Sequence, residues 1–244
     1  MPAGGTGLVL RGLRKEPATI GKWHLGWDLT YKEGKAKTVD NIDFTKRVAN
    51  GPTDRGFDYF YGLTSPSGPP HLYMVNDMAE KQPNTRFEES GGGLYKIKGG
   101  IGHSDWSADG MQPHLADKML EYLDENKDSD KPFFLYMALT APHIPLFPSK
   151  EFKGKSKIGD YGDLVMMIDD IVGRVNRKLK EIGKYDNTIV MFAADNGCAG
   201  YINMDRINRK GHYPSYIYRG YKSHGWEGGH RIPFILSWGD RYGH

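Results

Sequence analysis

The stretch that most limits what this chain can become is Thr188–Gly197, T-I-V-M-F-A-A-D-N-G. Ile189 to Ala194 is an unbroken run of small and apolar residues, bounded by Asn187 and Gly197 and too short for a buried helix. Such a run suits a strand buried on both faces of a parallel sheet, which sets the expected class as α/β with helices over the sheet. It stops abruptly at Asp195-Asn196-Gly197. A carboxylate and an amide carbonyl thus emerge together at a strand end, where open α/β sheets bind their ligands. Both offer the hard oxygens that Ca²⁺ or Mg²⁺ takes. All three residues also favour turns, so a plain turn is the competing reading of these ten residues alone.

Three further segments end the same way. Phe133–Leu139 reads as a second buried strand and empties into Thr140-Ala141-Pro142-His143-Ile144-Pro145, where prolines on both sides restrict the backbone around His143. Between the two strands, Asp160–Ile182 carries Leu164, Met167, Ile168, Ile171, Val172, Val175, Leu179 and Ile182 on one helical stripe. Asp160 is the expected N-cap and Gly183 the expected stop. Strand, helix and strand then predict a right-handed parallel crossover that puts His143 and Asp195 on one edge of the sheet. Near the start, Ala18-Thr19-Ile20 reads as the tail of a strand running into Gly21-Lys22-Trp23-His24-Leu25-Gly26. Lys22 and His24, two apart, project to one side of an extended segment, unless Trp23 simply anchors a surface loop. Near the end, Arg219-Gly220-Tyr221-Lys222 and Trp226-Glu227-Gly228-Gly229-His230-Arg231 precede a third apolar run, Ile232–Trp238. Leu115, Met119, Leu120 and Leu123 predict a helix opening near Pro113, and 64–105 reads as an excursion from the core that holds a short hairpin.

Composition removes several alternatives. With 244 residues the chain is long enough for one large α/β domain or two small ones. Its formal net charge of +3, with no dense basic run, excludes a nucleic-acid partner from the expected list. No stretch approaches the roughly 20 apolar residues of a membrane span. The first dozen residues have no apolar core behind a basic start, so no export signal is read there. Cys198 is the single cysteine, which rules out an intrachain disulfide and any cysteine-based zinc cluster.

Lys22 with His24, His143, Asp195 with Asn196, and Lys222 each place a cation or hard oxygen beside glycine or proline at a strand end. Converging on one point, they would neutralise a tetrahedral oxyanion and protonate a leaving oxygen, which makes sulfate and phosphate esters the expected substrates. Here the residues resemble a known family. G-K-W-H-L-G at 21–26 is similar to the second sulfatase signature. F-D-Y-F-Y-G, P-F-F-L-Y-M-A-L-T-A-P-H-I-P, Y-G-D-L-V-M-M-I-D-D-I-V-G, D-N-T-I-V-M-F-A-A-D-N-G and R-G-Y-K…W-E-G-G-H-R-I-P-F-I resemble type I, formylglycine-dependent arylsulfatases in the same order. The likeness covers about residues 18–238.

The resemblance implies an alkaline-phosphatase-like α/β fold, a mostly parallel sheet sandwiched by helices, incomplete here at both ends. It implies a Ca²⁺ site (Mg²⁺ in some members) to which Asp195 and Asn196 belong. It implies that Lys22 touches the formylglycine and the sulfate, and that His24 hydrogen-bonds the formylglycine hydrate. His143 and Lys222 would grip the sulfate and its bridging oxygen, with His143 the general acid. Glu227 and Arg231 of E-G-G-H-R are read as structural, Asp169 and Asp170 as a solvated or helix-packing pair. The implied partner is a sulfated small molecule or glycan, and the family is mostly exported, periplasmic or lysosomal. The chain departs from the family in two places. The paired aspartates that complete the metal site and the C-x-P-S-R motif that yields formylglycine have no counterpart, since Cys198 is followed by A-G-Y-I. The expectation is therefore a central piece, residues 1–244, of a sulfatase catalytic domain that does not turn over substrate alone. A nonenzymatic module that binds sulfated ligands, and a phosphoester or phosphonate hydrolase of the same superfamily, are the alternatives.

Overall fold

The computed structural model describes residues 16–239, so the readings of the first 15 residues and of 240–244 fall outside the described residues. Backbone contacts divide the chain into two compact units, one up to Ser149 and one from Lys150. In the first unit the order is β1 (Glu16–Lys22), β2 (Tyr59–Leu63), β3 (Met74–Val75), β4 (Met78–Ala79), β5 (Thr85–Phe87), β6 (Gly100–Gly102), α1 (Met111–Glu125) and β7 (Phe133–Ala138). A five-stranded mixed sheet runs β4-β3-β2-β1-β7. At its heart β1 lies parallel to both neighbours, pairing Ile20 with Tyr61 on one side and Met137 on the other. Ala18, Thr19 and Ile20 are buried on successive positions, so both faces of β1 are covered. The helix α1 packs on β1 through a stripe of Met111, Leu115, Met119 and Leu123. Each such side chain stabilises the unit by about 1.5–3 kcal/mol relative to exposure. A second apolar cluster joins Ile42, Phe44 and Val48 to Phe60, Leu72 and Met74, with Trp23 and Trp27 packed against it.

The segment 64–105 is an excursion only in part. Its first half supplies β3 and β4 to the main sheet, and β5 with β6 forms a separate antiparallel ribbon. Leu72, Tyr73 and Met74 are buried, so this stretch also builds core.

In the second unit the elements are α2 (Asp160–Glu181), β8 (Ile189–Ala193), α3 (Met204–Asn208), α4 (Glu227–His230) and β9 (Phe234–Trp238). The stripe predicted for α2 is buried at Leu164, Met167, Ile168, Ile171, Val175 and Leu179. Its N-cap is Gly159 rather than Asp160. The first turn is held instead by Asp163, buried one turn further on, which accepts the Gly154 and Ser156 N–H groups at 2.7 and 2.6 Å. Gly183 ends the helix as expected: at φ +68 it allows Lys184 N–H to reach the Leu179 carbonyl and its own N–H to reach Lys180. Asp169 is exposed, and Asp170 pairs with Arg177 at 3.6 Å.

The parallel crossover is not what the structure shows. β7 pairs with β1, whereas β8 pairs antiparallel with β9 in a two-stranded ribbon, Ile189 opposite Trp238 and Met191 opposite Leu236. Nor is β8 covered on both faces, since Ile189 is 47% and Met191 57% exposed. An apolar run specifies strand and burial preference, but not which strand it pairs with.

Candidate functional site

In the first unit the chemistry-bearing residues stand where parallel strands end. Lys22 is the last residue of β1, half-buried, and Trp23 N–H continues the ladder to the Leu63 carbonyl at 3.0 Å. The strand tips approach too closely for any side chain. A Cβ on Gly21, at φ +131, would lie 2.0 Å from the Ala138 carbonyl oxygen, and one on Gly62 would lie 1.8 Å from the Gly21 oxygen. Glycine at both positions therefore fixes β2, β1 and β7 side by side at the point where Lys22 emerges. After Lys22 the chain turns. His24 is exposed with a left-handed backbone (φ 53), and Trp23 closes the turn by donating Nε1–H to the Gly26 carbonyl while its ring meets Phe57 edge-on.

β7 ends at Ala138, directly opposite Gly21, and the loop after it carries His143 between cis peptide bonds at Ala141–Pro142 and Ile144–Pro145. The backbone N–H of His143 donates to the Thr140 carbonyl, and its Nδ1 donates to the Ile144 carbonyl at 2.6 Å. That bond fixes the tautomer. With Nδ1 carrying the proton, Nε2 is the acceptor nitrogen of the neutral ring. The base of this loop is tied to α1 by Gln112, a buried residue whose side-chain oxygen accepts from Thr140 N–H (3.1 Å), the Thr140 hydroxyl (2.7 Å) and Ala141 N–H. Sequence reading missed Gln112, because one glutamine on an amphipathic helix gives no pattern to distinguish it from a solvated one.

In the second unit, Asp195 and Asn196 follow β8, Asp195 exposed and Asn196 half-buried. The Asn196 amide nitrogen donates to the Gly197 carbonyl at 3.1 Å, which leaves its oxygen as the atom a cation would meet. The loop is locked to the Glu227–His230 turn by Gly197 N–H to Gly229 carbonyl (2.9 Å), and to the Lys222 segment by Lys222 N–H to Cys198 carbonyl (2.8 Å). A Cβ on Gly197 would sit 2.0 Å from the Gly228 oxygen, and one on Gly228 would sit 2.2 Å from the Gly220 oxygen. The E-G-G motif is thus explained by backbone contact: it seats the Asp195–Asn196 loop against the strand of chain that carries Lys222. Glu227 pairs with Arg231 at 3.0 Å across the same turn.

The oxygens of Asp195 and Asn196 are the right kind for Ca²⁺, which takes about 6–8 oxygen ligands. Among the described residues, however, no group of three or more His, Cys, Asp or Glu side chains could hold a metal. The donors present among the described residues do not make a complete cation site. Cys198 does not fit a nucleophile either. Burial pushes its thiol above the ordinary 9.0, and its Sγ lies 3.7 Å from the Tyr161 hydroxyl and from Met204 Sδ.

A parallel-centred α/β sheet with cations and a histidine at its strand ends defines the alkaline-phosphatase-like class. The solved structures agree. One sulfatase, from the glycosaminoglycan-metabolising locus of Bacteroides thetaiotaomicron, superposes with TM-score 0.75 and 26% identity, covering 94% of this chain and 53% of that one. The PsFucS1 sulfatase of Pseudoalteromonas sp. gives TM-score 0.65 and 26% identity over 95% of this chain and 44% of that one. The lipoteichoic acid synthase LtaP of Listeria monocytogenes shares the fold alone, at 16% identity and TM-score 0.50. The Sulfatase family model matches residues 9–244, and the chain belongs to that family. Among curated relatives, the N-acetylgalactosamine-6-O-sulfatase of Bacteroides thetaiotaomicron is 30% identical over 90% of this chain and 48% of its own length. The arylsulfatase of Hemicentrotus pulcherrimus is 30% identical over 90% of this chain and 35% of its own. The chain therefore spans between about a third and a half of the length of these two relatives.

Proposed function

We propose that this chain supplies sulfate-handling residues of a sulfuric ester hydrolase. The observation that carries the reading is that adjacent parallel strands end at Lys22 and, in the loop that follows β7, lead to a histidine whose Nδ1 donates to a carbonyl. Such a histidine is suited to donate a proton from Nε2 to the oxygen that leaves as the S–O bond breaks. Lys22 offsets the charge of the sulfate oxygens, and His24 hydrogen-bonds beside it. In the second unit, Lys222 is assigned to the bridging oxygen and Asp195 with Asn196 to a divalent cation, Ca²⁺ or Mg²⁺. Family membership supports these roles, and each unit is assigned its own.

The nucleophile is a separate matter. The formylglycine of the family derives from a cysteine in a C-x-P-S-R context, and the one cysteine of this sequence stands in C-A-G-Y. The chain by itself is therefore proposed to bind sulfate monoesters without hydrolysing them. Calorimetry with N-acetylgalactosamine 6-sulfate, alongside a sulfate-release assay on the same preparation with added Ca²⁺, tests both statements. Binding should fall about tenfold or more in Lys22→Ala, as for loss of a charge-assisted contact, with no sulfate released by either protein. Unchanged affinity in Lys22→Ala would sink the assignment of Lys22. Hydrolysis that Lys22→Ala abolishes would overturn the claim of no turnover.

A further inference from the structure

The segment from Gly200 to Arg231 has a character the sulfate-handling roles do not use. Its six Lys and Arg residues face only two acids, Asp205 and Glu227, so it is more positive than the whole chain at +3. Arg47, Arg86, Arg177 and Arg231 each pair with a carboxylate, whereas Arg209 and Arg219 have no carboxylate partner among the described residues. The same segment holds Tyr213, Tyr216 and Trp226 in solvent at 58, 71 and 52% exposure. Two contact groups lie along this strip of chain. The Arg219 guanidinium lies 4.1 Å over the Trp226 ring, Arg231 lies 5.1 Å over Tyr218, and Tyr218 meets Tyr216 edge-on at 6.2 Å. The Arg219 carbonyl accepts Gly228 N–H, which fastens the strip to the turn beside Lys222.

Tyr216 sharpens the point. Its backbone is left-handed (φ 51), a conformation a bulky residue adopts only at a cost. No burial of the ring offsets that cost, because the ring is in solvent. Stacked guanidiniums keep their N–H edges available to carboxylate or sulfate, and exposed ring faces suit the C–H faces of pyranose rings.

We infer that the strip from Tyr213 to Trp226 is a binding surface for an anionic polysaccharide, holding the sugar units that flank the sulfate ester. The inference rests on the sulfate-ester reading of Lys222, which lies within the strip. That placement, and a whole-chain charge too low for a nucleic-acid binder, favour a glycan over a polynucleotide.

The test is equilibrium binding, which needs no turnover. The probes are a labelled hexasaccharide containing 6-sulfated N-acetylgalactosamine, the monosaccharide N-acetylgalactosamine 6-sulfate, and a single-stranded oligonucleotide of equal charge. The hexasaccharide should bind about tenfold more tightly than the monosaccharide. Arg219→Ala combined with Trp226→Ala, and separately Tyr216→Asn, should abolish that preference and leave monosaccharide affinity unchanged. Asparagine tolerates the left-handed backbone, so Tyr216→Asn removes the ring without disturbing the chain. No preference for length, a preference that survives both variants, or an oligonucleotide that competes as well as the hexasaccharide would each overturn the surface. Lys222→Ala reads the underlying assignment separately: unchanged monosaccharide affinity there would reject the sulfate role of Lys222 while the length preference still reports on the strip.

Discussion

Gly62 is the residue at which one carbon atom would change most. A Cβ there would sit 1.8 Å from the Gly21 carbonyl oxygen, and the obstacle is backbone of the central strand, which cannot swing aside as a side chain can. Gly62→Ala is expected to lower stability by about 3 kcal/mol or more, measured by urea unfolding, because relief requires β1 and β2 to separate. Gly26→Ala is the control. Unlike Gly62 it is left-handed (φ +89), but it faces open space, so it should cost only about 1 kcal/mol. Equal losses would show that the strand tips are not pressed together. Gln112 makes the second case. Gln112→Ala strands the Thr140 and Ala141 N–H groups, should cost about 1–3 kcal/mol, and should weaken sulfate binding because His143 hangs from that loop. A variant that lost stability but bound sulfate normally would limit Gln112 to a structural role. The sequence announced Lys22, His24 and His143 through glycine and proline spacing, since those residues signal turns by themselves. It could not announce Gln112, whose role exists only once α1 lies against the β7 loop.

Among the elements, α2 and β8 differ in how far sequence specifies them. Helix periodicity is a property of one segment, so the buried stripe and the Gly183 stop of α2 were legible before any partner was known. Strand pairing is a property of two segments. The apolar run at 189–194 had the look of a doubly buried parallel strand, but β1 fills that role, and β8 found β9 instead. β1 was hard to recognise because Pro17 and Gly21 interrupt its apolar character, and its burial comes from neighbours on both sides. The cap of α2 also lies one residue from the expected one. Asp160 has the right chemistry, but the chain enters the helix through Gly159, and the acid that collects backbone N–H groups is Asp163. Asp163→Ala should therefore destabilise the second unit by about 1–3 kcal/mol, whereas Asp160→Ala should cost a few tenths. Reversed magnitudes in denaturant unfolding would restore Asp160 as the cap.

For the molecule as a whole, buried titratable groups set the pH range of stability. His71 is 1% exposed, wedged between Phe87 and Trp106, with Nε2 donating to the Lys98 carbonyl and Nδ1 unpartnered. A proton on Nδ1 would be a buried charge with nothing to receive it, so burial holds the imidazole below the ordinary 6.5. His114 is lowered for the same reason: its Nε2 donates to the Tyr61 hydroxyl, its ring stacks on Tyr73, and burial together with Lys118 outweighs the opposing pull of Glu80, Asp117 and Glu121. The sign follows from proton uptake. Below pH 6.5 the unfolded chain binds protons that these two histidines refuse when folded, so stability falls as pH drops. At the alkaline end, burial raises Cys198 above 9.0 and Tyr59, Tyr61, Tyr73 and Tyr161 above 10.0. There the unfolded chain releases protons that the folded chain keeps, and stability falls again as pH rises. The expected profile is flat between pH 6.5 and 9.0 and slopes down on either side. On the acid side each histidine contributes up to about 1.4 kcal/mol per pH unit. His71→Gln keeps a donor for the Lys98 carbonyl and removes one titrating group, so it should reduce the acid slope by about half without moving the alkaline one. Urea unfolding at successive pH values reads this directly, and an acid slope unchanged by His71→Gln would mean that His71 accepts its proton in the folded protein.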